Sequence, residues 1–176
     1  MSRQGFSDGR ALDGIENRPE LTHAACAAPE GVRGMNHHEA EHLRASFRWF
    51  APCGPAMIAK VTRNLSDSHP GVRALFPEET DSLNVKAFRT LGQIVENAEK
   101  FHRLEEPLGA LGRRCAQEGA NPAHYAIVRD ELITVMAELA GDDWSESLEH
   151  CWRMLLDAAT GAMLAGAAEE RMRRAA

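Results

Sequence analysis

An all-α domain is the fold class this chain predicts, and three observations carry it. From about His37 onward, apolar residues recur at intervals of three and four, the period of a helix with one buried face. No stretch combines period-two alternation with the β-branched enrichment of strands. Proline, glycine and asparagine-proline pairs fall between the periodic runs, where they can stop one helix and start another.

Leu43, Phe47 and Phe50 give the first helix its apolar face, and Pro52 with Gly54 end it. Pro55 suits the first turn of a second helix, which runs to about Ser68, because proline lacks only an N–H that has no partner there anyway. Between Pro70 and Pro77 the chain predicts a short helix or corner. Asp81 or Ser82 can cap a long helix carrying Ala87, Phe88, Leu91, Ile94, Val95 and Ala98. Pro107 opens a shorter one with Leu108, Leu111 and Cys115 on its inner face, and Gly119 supplies the left-handed residue beyond its end. Asn121-Pro122 reads as cap and first position of a helix with Tyr125, Val128, Leu132, Val135, Met136 and Leu139 inward, ended by Gly141. Asp142 or Asp143 is the expected cap of the last helix, with Leu148, Trp152, Leu155, Leu156, Ala159 and Met163 inward.

Residues 1–36 show neither period and read as a flexible N-terminal extension to a domain at 37–176. A length of 176 residues fits one core that buries roughly two thirds of the unfolded surface. The net charge of -6 gives no cationic surface for nucleic acid. Arg171, Arg173 and Arg174 follow Glu169 and Glu170 and read as a solvated helix end. The cysteines, Cys26, Cys53, Cys115 and Cys151, are too dispersed for a zinc knuckle or a disulfide scaffold. There is no signal peptide and no apolar run near the roughly 18 residues of a membrane helix. A reduced, cytoplasmic setting is the expectation.

His38-Glu39-Ala40-Glu41-His42 has the spacing of a zinc protease motif. It stands at the start of the first helix without a third ligand, so incidental metal binding with His37 is the most it implies. Cys151 beside Trp152 reads as packing.

Other motifs carry a family resemblance. Asn64-Leu65, His69-Pro70 and Val72-Arg73-Ala74-Leu75-Phe76 are followed by Lys86-Ala87-Phe88 and Thr90-Leu91-Gly92. Then come Gly112-Arg113-Arg114-Cys115, Pro122 with His124-Tyr125, and Trp152. In this order and spacing, over roughly residues 40–168, they resemble the bacterial single-domain globins and the globin domains of flavohaemoglobins. The resemblance implies a globin fold of six to eight helices, three over three, and a haem b cofactor (iron protoporphyrin IX). It implies that Phe76 packs on the ring, that Thr62, Asn84 and Phe88 line the distal side, and that Leu111 and Tyr125 lie on the proximal side.

At the position of the family's iron-binding histidine stands Cys115. Thr62 replaces the distal tyrosine and Asn84 the distal glutamine, while the supporting glutamate of the last helix falls near Ala167, with Glu169 and Glu170 close by. Cys115 is then either a thiolate ligand, which would favour ferric iron, or a small buried hydrophobe in a globin without haem. His102 is the alternative ligand. His124 matches a histidine that the family often carries outside the iron site. With a thiolate and weak distal polarity, the expected role is gas or redox sensing, or nitric oxide, oxygen or peroxide chemistry, rather than oxygen storage. The partner would be a diatomic gas or a small anionic haem ligand, with a separate reductase for electron supply. The other reading is a haem-free regulatory or interaction module.

Overall fold

The computed structural model describes residues 35–73, 75 and 81–175, so residues 1–34 of the expected 1–36 extension, with Cys26, and the Phe76 position lie outside the described residues, while Met35 and Asn36 belong to the folded domain. Among the described residues there are seven α-helices: α1 His37–Phe50, α2 Gly54–Ser68, α3 Pro70–Arg73, α4 Asp81–Glu96, α5 Glu105–Gln117, α6 Pro122–Ala140 and α7 Glu146–Ala175. Short 3-10 turns at Ala51–Cys53, Ala98–Arg103 and Gly141–Asp143 link them. Among the described residues there is no strand, and no helix is long and apolar enough to cross a membrane.

The helix ends form where capping chemistry allows. Asn36 accepts from the Glu39 N–H at 3.0 Å while Glu39 accepts from the Asn36 N–H at 3.0 Å. Each side chain thus satisfies a backbone donor of the other at the start of α1. Met35, buried just before this cap, donates its N–H to the Ala98 carbonyl. At α6, Asn121 accepts from the N–H groups of Ala123 and His124. Gly119 beyond α5 and Gly141 beyond α6 have φ of +97° and +56°, which glycine adopts at least cost. The start of α7 differs from expectation. Asp142 and Asp143 belong to the 3-10 turn, and Ser145 instead accepts the Leu148 N–H at 3.2 Å.

The core gathers residues from every long helix, including Leu43, Phe50, Met57, Val95, Met136 and Trp152, with Leu108 alone from α5. The Trp152 indole N–H donates to Ser46 Oγ at 3.1 Å, and Ser46 donates in turn to the Leu43 carbonyl at 3.0 Å. This chain ties α7 to α1 through two fully buried side chains. Leu139, expected inward, is exposed, while Ile133 is buried. α6 is apolar around much of its circumference, so periodicity alone does not select the buried stripe.

α2 packs on both α4 and α6, and α7 packs on α6 and along the length of α5. α4 and α5 form no extended contact with each other. Half-buried apolar side chains stand on both helices, Ala87 and Phe88 on α4 and Leu111 on α5.

Candidate functional site

Cys115 lies in the last turn of α5, half-buried, its carbonyl accepting the Ala120 N–H at 2.9 Å. Leu111 and Leu108 precede it on the same helical face; Leu108 is buried and Leu111 half-buried. The opposite consideration, how α5 is held, falls to its glycines. A Cβ built on Gly112 would lie 1.9 Å from the Met163 carbonyl oxygen, and one on Gly166 would lie 2.1 Å from the Gly109 carbonyl oxygen. Backbone thus meets backbone between α5 and α7, and Gly112 stands one turn before Cys115 on α5.

Burial pushes the Cys115 thiol above the ordinary thiol value; the negative charge of Glu118 adds to this and Arg114 opposes it. Tyr125, buried in the first turns of α6, donates its hydroxyl toward the Gly112 carbonyl at 3.4 Å. Its phenol is pushed up to about 12, first by burial and then by the neighbouring Cys115, with Arg171 acting the other way. The expected pairing of Cys115 with Tyr125 is therefore present as a neighbourhood, in which Tyr125 is a neutral donor at any physiological pH.

Thr62 is half-buried on α2 and donates its hydroxyl to the Ile58 carbonyl at 3.1 Å. Its one proton is thereby engaged. Asn84 on α4 is 3% exposed, and its Oδ1 has no hydrogen-bond partner among the described residues. Phe88 stacks on Phe47 with ring centroids 4.9 Å apart. Its ring also lies so close over Gly54 that a Cβ there would come within 2.3 Å.

The remaining singled-out residues have local roles. His102 is exposed on the Ala98–Arg103 turns. His124 returns to its own cap, its Nδ1 accepting from the Asn121 N–H at 3.3 Å. His38 and His42 stand with ring centroids 4.7 Å apart on α1, while the glutamate between them is engaged in the capping box. Among the described residues no group of three or more potential ligands is arranged for a metal ion. Cys151 is buried in the core.

Ala167 is fully buried, Glu169 pairs with Arg113 at 3.1 Å, and Glu170 is buried. Glu170 accepts from Gln117 at 3.1 Å and pairs with Arg173 and Arg174. The Gln117 hydrogen bond, then Arg174 and Arg173, hold its carboxyl below the usual carboxylate value against the effect of burial. The acidic residues near the end of α7 therefore fasten the end of α5. Sequence reasoning missed this role, together with Ser46 and the Gly112 and Gly166 contacts. Only the glycine spacing on α5, Gly109 and Gly112, offered a signal.

Residues 59–163 match the family described as Globin. Leghemoglobin 49 of Vicia faba is 27% identical over 82 residues, which cover 45% of this chain and 56% of that protein. The chain thus spans little more than half of that relative. Leghemoglobin 2 of Sesbania rostrata is 23% identical over 142 residues, 74% of this chain and 96% of that protein. The flavohemoglobin of Malassezia yamatoensis, solved with bound FAD and heme, superposes with a TM-score of 0.65 at 18% identity, over 81% of this chain and 38% of that one. At that identity the likeness is one of fold.

Proposed function

Because this chain belongs to the globin family, we propose that it holds haem b between α4 and α5, with Cys115 as the proximal iron ligand. It would serve gas or redox sensing, or nitric oxide, oxygen or peroxide chemistry, rather than oxygen storage. The observation that carries the reading is Cys115 itself: a half-buried soft donor on α5, next to Tyr125.

The residues present fit the group. α4 and α5 contribute half-buried apolar side chains, α5 contributes a sulfur, and α4 contributes a buried amide whose oxygen lacks a partner among the described residues. When bound, the haem iron would supply diatomic-ligand and one-electron chemistry, biased toward the ferric state by a thiolate. Cys115 would give up its proton to bind the metal, and Tyr125 would stay protonated and hold the Gly112 carbonyl. Thr62 has no free proton to donate to a bound gas, which leaves Asn84 as the polar group on the distal side and argues against tight oxygen retention. A separate reductase would supply electrons for any turnover that consumes them. Free thiols at Cys53, Cys115 and Cys151 support a reducing, cytoplasmic setting.

Reconstitution with ferric haem tests this reading. The expected result is stoichiometric uptake with a Soret band of thiolate type, lost in Cys115→Ala and moved to an imidazole type in Cys115→His. A folded protein that takes up no haem would overturn it. One observation favours the second reading, a haem-free regulatory or interaction module: burial keeps the Cys115 thiol neutral at physiological pH, as suits a small core hydrophobe.

A further inference from the structure

We infer that Gly112 and Gly166 are positioning residues for Cys115: the backbone contact they permit between α5 and α7 sets where the thiol stands. The inference rests on the reading of Cys115 as the iron ligand.

α5 has few other attachments. It packs along α7, meets the preceding 3-10 turns, and has no extended contact with α4 or α6. Its lateral position is therefore decided at one interface, and at two points of that interface no side chain fits. The Cβ positions of Gly112 and Gly166 fall 1.9 Å and 2.1 Å from backbone oxygens, where real Cβ atoms essentially never come closer than 3.0 Å. Two other glycines of these helices lack the constraint. A Cβ on Gly109 meets nothing nearer than 3.7 Å, and one on Gly161 meets nothing within 4 Å. The requirement is thus specific to two positions, and one of them, Gly112, lies three residues before Cys115 and gives its carbonyl to Tyr125.

Backbone oxygens cannot rotate away as a side-chain end can. An alanine at either position must therefore part the helices by about 1 Å. A metal–thiolate bond of about 2.3 Å tolerates about 0.2 Å. Cysteine has a single side-chain torsion, so following a shift of that size takes it out of its rotamer well. Alanine is also the better helix former, so neither substitution lowers the intrinsic helix propensity of α5 or α7, and circular dichroism reports any loss of the helices.

The experiment compares wild type, Gly112→Ala, Gly166→Ala and the control Gly109→Ala. Each is titrated with ferric haem, with the Soret band read beside far-UV circular dichroism. The expected result is a thiolate-type band in wild type and Gly109→Ala. In the other two variants that band should be lost, with affinity weaker by about tenfold or more and helicity retained. Folded Gly112→Ala and Gly166→Ala proteins with the wild-type band would overturn the inference. Collapse of the helical signal in both would overturn it equally, since the contact would then be holding the fold and not the ligand. A wild type without a thiolate band would instead remove the ligand reading itself, so the two failures are distinct.

Discussion

Replacing Ser46 with alanine is a test of how α7 is anchored. The side chain is 1% exposed and Trp152 is fully buried, with the indole N–H donating to Ser46 Oγ at 3.1 Å. Alanine removes the acceptor and leaves that N–H in an apolar core, where an unsatisfied donor costs about 1–3 kcal/mol. The second bond, from Ser46 to the Leu43 carbonyl, adds little, because that carbonyl lies within α1, and the higher helix propensity of alanine offsets up to about 0.5 kcal/mol. The net expectation is a loss of about 2 kcal/mol, or roughly 4–8 °C in melting temperature for a chain of this size. Urea unfolding of haem-free wild type and variant, followed by circular dichroism, measures it directly, with an unchanged m-value showing that the two native states are equally compact. A cycle with Trp152→Phe isolates the pair: Trp152→Phe should cost about 1–2 kcal/mol less in the Ser46→Ala background than in wild type. A loss below about 0.5 kcal/mol, or strict additivity in the cycle, would refute the argument that this hydrogen bond stabilises the core.

Three further outcomes are expected. Asn121→Ala removes the acceptor of two N–H groups at the start of α6 and should cost about 1 kcal/mol; an unchanged melting temperature would show that His124 or water caps the helix equally well. Glu170 has a lowered carboxyl pKa, so its contribution to stability is present above the ordinary carboxylate value and is lost as pH falls through the lowered one. Glu170→Gln should therefore melt lower than wild type at pH 7, and the gap should close in acid; a gap independent of pH would count against a charged role. In the haem-free protein, burial and Glu118 raise the Cys115 thiol, so the pH profile of its alkylation should have its midpoint above that of an ordinary thiol. A midpoint near neutrality would remove this account.

Most helix limits were legible because proline, glycine and asparagine act locally. Asn121-Pro122, Gly119 and Gly141 each do what their backbone chemistry implies. The start of α7 was not, since two aspartates after a glycine look like caps, yet the 3-10 turn continues through Asp143 and hands the role to Ser145. Leu139 was misjudged for a different reason. α6 carries apolar residues on several sides, and which side is covered depends on where α2 and α7 lie. At the site, the nearness of Cys115 and Tyr125 follows from the short turn between α5 and α6 and could be read in advance. The engagement of the Thr62 proton by Ile58, the pairing of Glu170 with Gln117 and the fit of Gly112 on Met163 depend on rotamers and interhelical distances, which spacing alone does not encode.

The one-sided attachment of α5 has a consequence for how the molecule comes apart. A helix of 13 residues is marginal on its own in water, so α5 persists only while the second half of α7 lies against it. Those two segments should open as one cooperative unit in hydrogen exchange, at lower free energy than the α1 and α7 residues around Ser46 and Trp152. Whatever loosens the far end of the last helix should then also release Cys115, coupling the state of the end of α7 to the residue proposed to hold the iron.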